Sequence, residues 1–123
     1  MITAAMCFAL VMYREARSEP IAAQLATAKI LHHRATLNKT HVCKELSKHR
    51  QFAWTSKYKI IPPVPIGTID KVAWQQSKKL AKSLNHVSVK GITPNHVYFN
   101  TLALGKRYKT KTKPVKLGGL LFY

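Results

Sequence analysis

The sequence predicts a mainly helical α+β domain, on three observations. Apolar residues recur at spacings of three and four in three long stretches, and two short apolar runs lie near the end. The 123 residues, 46% of them apolar, suffice for one hydrophobic core, and no linker, internal repeat or low-complexity segment divides them. Residues 1–123 are therefore expected to form a single domain with a small β element.

Ile2, Ala5, Met6, Ala9, Leu10 and Tyr13 mark the first helix, which should end near Arg17 because the residue before Pro20 is pushed out of helical geometry. The apolar opening from Ile2 to Tyr13 has no preceding Lys or Arg, is too short for a bilayer and meets no small-residue cleavage pattern. It reads as a core helix rather than a signal or anchor. Pro20 suits the first turn of a second helix running to about Thr36. Ile21, Ala22, Leu25, Ala26, Ala28, Ile30 and Leu31 make that helix apolar nearly all round, so it is expected at the centre. A short helix is expected over Val42 to Lys48. From Phe52 to Gly67 the periodicity is lost, and Pro62-Pro63-Val64-Pro65 imposes an extended loop. Thr68 or Asp70 can cap a third long helix reaching Leu84, with Ile69, Val72, Ala73, Gln76, Leu80 and Leu84 on its core face. Val97–Asn100 and Leu120–Tyr123 read as short strands.

Charge is lopsided: 21 Lys+Arg against 4 Asp+Glu gives a formal +17. A polyanionic partner follows, whether nucleic acid, an anionic membrane or an acidic wall polymer. The only side-chain carboxylates are Glu15, Glu19, Glu45 and Asp70, which argues against calcium cages and Asp-rich two-metal sites. Cys7 and Cys43 allow one bridge, but without an export signal the favoured reading is two reduced, largely buried thiols. Among the six histidines, adjacent His32 and His33 point about 100° apart on a helix, and His41, Cys43 and His49 lack zinc spacing. Neither a metal nor a cofactor is expected.

Tyr13-Arg14-Glu15-Ala16-Arg17-Ser18-Glu19-Pro20 is the segment richest in chemistry. A glutamate in the last turn of a helix sits at the negative end of the macrodipole. With partial burial, that position favours its protonated form, as general-acid cleavage of a glycosidic bond requires. Arg14 and Arg17 oppose this if they approach Glu15, and a surface ion pair with one of them is the plain structural alternative.

Glu15-Ala16-Arg17-Ser18-Glu19-Pro20, then Ala23-Gln24-x-Ala26-x-Ala28 and His33-Arg34, resembles the opening of the spore-cortex-lytic cell-wall hydrolases of the SleB/CwlJ type. Val42-Cys43, Gln51-Phe52-Ala53-Trp54, Thr93 with Val97-Tyr98-Phe99-Asn100, and Leu117-Gly118 with Phe122-Tyr123 resemble later motifs of that family, in order along the chain. The resemblance implies a lysozyme-like, lytic-transglycosylase-like domain that cleaves the bond between N-acetylmuramic acid and N-acetylglucosamine in peptidoglycan, with Glu15 as catalytic acid. It also implies groove positions for Gln24, Gln51, Tyr98 and Asn100, and Trp54 and Tyr58 can stack on sugar rings. Ser18 and Ala23 replace family glycines, His33 replaces an asparagine, and Leu120 stands where the family has a histidine.

Two-carboxylate glycosidases need a second acid about 5–9.5 Å from the first. Glu19 is the candidate, although its plainer role is capping or charge pairing at the second helix. Asp70 reads as a helix cap and Glu45 as part of a solvated face. A lytic transglycosylase needs one glutamate only, which suits a chain with four acids. Lys109, Lys111 and Lys113 would share one side of an extended backbone, as a charged edge or as a holder of envelope polyanions.

The leading expectation is a monomeric endolysin of phage type, made in the cytoplasm without a signal peptide or separate wall-binding domain. A holin-type pore would release it to the cell wall. Its partners would be glycan strands and anionic envelope polymers. The competing class is a small basic nucleic-acid-binding protein. Charge supports it, but no zinc-finger spacing, RNA-binding aromatic signature or helix-turn-helix does. An inactive wall-binding relative is the third reading.

Overall fold

The computed structural model describes residues 3–48, 67–105 and 109–123. Gln51, Trp54, Tyr58, His49 and the proline-rich loop therefore lie outside the described residues. Thr3 opens the first helix, α1 (Ala4–Ala16), its hydroxyl accepting the Met6 N–H at 3.2 Å. Pro20 cuts the helix from its successor, α2 (Ile21–Leu37), and stands at the cap of α2 rather than inside its first turn. That second helix ends in a Schellman closure: Lys39, at φ 54°, donates to the Thr36 carbonyl and Thr40 to that of Ala35. A short α3 (Val42–Leu46) follows, with the His41 imidazole accepting the Cys43 N–H. The last helix, α4 (Gly67–Ser83), runs into a 3₁₀ turn at Leu84–His86.

Three short strands complete a mainly helical α+β fold: β1 (Phe99–Thr101), β2 (Val115–Leu117) and β3 (Leu120–Phe122). They form an antiparallel sheet in the order β1-β3-β2, with Phe99 opposite Phe122 and Leu117 opposite Leu120. Of these, β2 was not expected. It pairs with β3 through the two-residue Gly118-Gly119 turn, in which Gly118 takes the left-handed φ of 57°.

The more completely buried helix is α1, with α2, which also packs against the other three, beside it. Every residue from Cys7 to Tyr13 is buried, and α1 packs against all three other helices. One core cluster surrounds it, and a second joins Ala16, Ala23, Ala26 and Ile30 to Leu120 and Phe122 of the sheet. The expected core face of α4 holds where Ala73 and Leu80 pack against the core and Leu84, in the turn that follows, is buried, and fails at the start of the helix. Trp74, Ser77 and Ala81 point inward, while Ile69 and Val72 are 85% and 62% exposed. Small Ser77 and Ala81 let the backbones approach, and Trp74 packs edge-on against Tyr13 with ring centroids 5.4 Å apart. Because α4 begins at Gly67, Asp70 lies within its first turn instead of capping it.

Two further expectations are corrected. Cys7 and Cys43 form a disulfide, tying α3 to the central helix across 36 positions of sequence. Glu45 is not on a solvated face but fully buried. Lys48 reaches it at 2.8 Å, Asn38 donates at 3.0 Å and Thr40 at 3.2 Å, with Arg34 at 3.8 Å. Burial pushes this carboxyl up, but the hydrogen bonds from Lys48, Asn38 and Thr40 and the Lys48 charge outweigh it and hold Glu45 below the usual range. In addition, Lys109–Lys113 is no regular extended strand, since the chain bends at Lys111–Thr112.

Candidate active site

The corner between α1 and α2 gathers the acidic motif. Glu15 lies in the last turn of α1, half-buried, one residue before the buried Ala16. Arg17 is turned toward other partners. It donates to the Tyr13 hydroxyl at 2.8 Å, lies 4.9 Å from the centre of that ring, and pairs with Asp70 of α4 at 3.4 Å. Arg14 also lies beside the Tyr13 ring, at 5.9 Å. The guanidinium two residues after Glu15 is thus used to join α1 to α4.

Glu19 has a structural partner 100 residues away. Both its oxygens accept the Gly119 N–H, at 2.9 and 3.1 Å, so the hairpin turn of the sheet is clasped to the helical corner. A side chain on either glycine would collide there. A Cβ on Gly119 would meet Glu19 Oε1 at 2.9 Å, and one on Gly118 would meet Pro20 Cδ at 2.7 Å. Glu19 caps this turn rather than the start of α2. The neighbouring backbone is held by Gln24, which is buried and donates its amide to the Glu19 carbonyl at 2.9 Å. Its own carbonyl oxygen, Oε1, is buried without a hydrogen-bond partner. A buried acceptor of this kind costs free energy unless a ligand or water supplies a donor.

Tyr98 precedes β1 and Asn100 lies in it, opposite Leu121 and so two residues along the chain from the Gly119 that Glu19 holds. Arg34, ten residues after Gln24 in α2, sits 5.2 Å from the Tyr98 ring centre. Asn100 is drawn inward: it accepts the Tyr123 hydroxyl and donates to the carbonyls of Thr101 and Gly105 at 2.9 and 2.6 Å. The structure therefore joins Gln24 to Glu19, leaves Glu15 in the last turn of the preceding helix, and gives Asn100 a loop-bracing role. No group of three His, Cys, Asp or Glu able to hold a metal occurs among the described residues.

What sequence reasoning missed is the turn formed by Gly118 and Gly119, although Leu117-Gly118 stood among the motifs. A Gly-Gly pair between Val115–Leu117 and Leu120–Phe122 is a two-residue hairpin signal and could have located β2. Its partner carboxylate had no local signal at all. Among the described residues no helix is long and apolar enough to cross a membrane. Comparison with protein-family models finds no match, and comparisons with curated proteins and with solved structures find none either.

Proposed function

We propose that this protein cleaves the β-1,4 bond between N-acetylmuramic acid and N-acetylglucosamine in peptidoglycan, as a single-glutamate lytic transglycosylase with Glu15 as acid and base. The observation that carries the reading is the place of Glu15, half-buried in the last turn of α1 beside a corner where Arg17 is drawn off to Tyr13 and Asp70. Glu15 stands at the carbonyl end of α1, the position expected of the general acid. The motif resemblance supplies the substrate class.

In this mechanism the Glu15 proton passes to the glycosidic oxygen as its bond to C1 of muramic acid breaks, releasing the N-acetylglucosamine hydroxyl. The Glu15 carboxylate then takes the proton of the muramic C6 hydroxyl, whose oxygen attacks C1 and closes a 1,6-anhydro ring. Glu15 ends protonated, as it began. Action on the wall places the chain on the oxidising side of a membrane, where a Cys7–Cys43 bridge persists. The +17 charge favours capture by an anionic envelope.

Clearing of purified peptidoglycan suspensions tests the reading. Wild type should clear them, and Glu15→Gln should lower the rate by about 10²–10⁴-fold with an unchanged circular dichroism spectrum. Mass spectrometry of the released muropeptides should find anhydro ends; reducing ends would replace transglycosylation by muramidase hydrolysis. A wild type that leaves peptidoglycan intact, yet retains one nucleic-acid sequence at physiological salt, overturns the proposal.

A further inference from the structure

On the sheet side of the molecule, the turn at 91–97 and the segment 110–113 face each other across an open groove of about 600 Å³. One imidazole sets its width. His96 is buried, its Nδ1 accepts the Thr93 N–H at 3.1 Å, and its Nε2 donates to the Lys113 carbonyl at 2.8 Å. Behind it, His33 of α2 donates from Nδ1 to the His96 carbonyl at 2.9 Å, so both walls are anchored to the helical layer. The lining surface is more apolar than polar, and the residues with charged side chains along it are of one sign, Lys111 and Lys113, with Thr93, Thr110, Thr112 and Asn95 among the polar ones. Among the described residues no carboxylate lines it; the Thr93 hydroxyl is engaged with His96 and those of Thr110 and Thr112 with each other, which leaves Lys111, Lys113 and Asn95 as the donors toward a ligand.

Such a lining selects an anion, and the volume indicates its size. It falls in the range of about 300–1,000 Å³ typical of small-ligand sites and exceeds what one phosphate would fill. We propose that this groove binds the carboxylates of a short acidic peptide, namely the stem peptide carried by peptidoglycan strands; the choice of peptide rests on the reaction proposed above. The two lysines pair with carboxylates while the Asn95 amide meets a peptide carbonyl, giving the enzyme a grip on the strand that is separate from the sugar backbone.

The test is an NMR titration of the ¹⁵N-labelled full chain with the synthetic tetrapeptide L-alanyl-γ-D-glutamyl-L-lysyl-D-alanine. Parallel titrations use the same peptide amidated at both carboxyls and inorganic phosphate. Shifts should concentrate in residues 91–97 and 110–113, and affinity should fall at least tenfold for the amidated peptide and for K111A/K113A. Equal binding of the amidated peptide, shifts centred elsewhere, or phosphate competing at concentrations equal to the peptide would overturn the proposal, the last pointing to a phosphate polymer. Binding is read without turnover. A protein that binds the peptide but leaves peptidoglycan turbid sinks the proposed reaction and keeps the groove, whereas one that clears peptidoglycan without binding the peptide does the reverse.

Discussion

Breaking the Cys7–Cys43 bridge would measure how much of the fold depends on fastening α3 to α1. At 36 residues of sequence separation, the chain-entropy relation gives a loss of about 13 cal/mol/K in the denatured ensemble, or about 4 kcal/mol at 25 °C. Domains of this size have total stabilities of about 5–15 kcal/mol, so reduction removes a large share. An unfolding entropy of about 2.1 cal/mol/K for each of the 123 residues converts that loss into a fall in Tm of about 15 °C. The five-residue α3 cannot sustain itself in isolation, so its amides should also exchange faster once the bridge is open. The assay is thermal and urea unfolding followed by circular dichroism, with and without a thiol reductant. The Cys7→Ala/Cys43→Ala variant in non-reducing buffer is the control and should match reduced wild type within about 1 kcal/mol, because alanine fits the buried Cys7 position without crowding. Two titratable thiols in the native, unreduced protein would refute the bridge. A loss below about 1 kcal/mol on reduction would refute the loop-entropy reasoning.

Removing the Glu45 carboxylate leaves Lys48 and Arg34 facing a buried, unpaired position, so Glu45→Ala should cost about 3–5 kcal/mol in urea unfolding, and Glu45→Gln less. Acidification should destabilise the fold in two stages. Burial lowers the pKa of His33 from 6.5, with His32, Lys29 and His96 adding to this and the His96 carbonyl opposing it, so the unfolded chain binds the proton more readily and stability falls as pH drops below about 6.5. Glu45, held below 4.5, contributes stability that is complete above that pH and lost as pH falls through its lower native value. Urea titrations across pH 3–8 should show both declines, and His33→Asn should remove the first while leaving the second. Gly119→Ala should destabilise by about 1–3 kcal/mol, because its Cβ would displace the carboxylate that clasps the turn.

Local periodicity revealed the helices because their apolar spacing is a property of short windows. Residues Ala4–Ala16, Ile21–Leu37 and Gly67–Ser83 fall within a few positions of where the spacing predicts them. Their facing was less legible. On α4 the apolar Ile69 and Val72 point outward, since the contact with α1 is made by Trp74 and the small Ser77 and Ala81, and a small polar residue gives no hydropathic signal. Similarly, α1 and α2 are both apolar nearly all round, and only the placement of their neighbours decides which is the more completely buried. The long-range links were invisible for a related reason: Cys7 to Cys43 and Glu19 to Gly119 join positions whose proximity is created by the fold itself. At the site, the position of Glu15 at a helix end was readable from Pro20 and the preceding periodicity. The diversion of Arg17 to Tyr13 and Asp70 was not.

In a chain with 21 cationic residues and four acids, each carboxylate has many available cations, yet Glu19 accepts a backbone N–H instead. Its role follows from Pro20, which ends any helical continuation and points the preceding side chain at the sheet. This arrangement separates the two glycosidic routes by experiment. If Glu15 acts alone, Glu19 matters only through the hairpin it holds, and Gly119→Ala should lower Tm while muropeptides keep their anhydro ends. If water is instead activated by Glu19, the Gly119 N–H competes with that water for the carboxylate lone pairs and weakens it as a base. Gly119→Ala, by pushing the two apart, would then raise the proportion of reducing ends even as it destabilised the fold. A change in product, rather than in rate, is therefore the result that would assign a chemical role to Glu19.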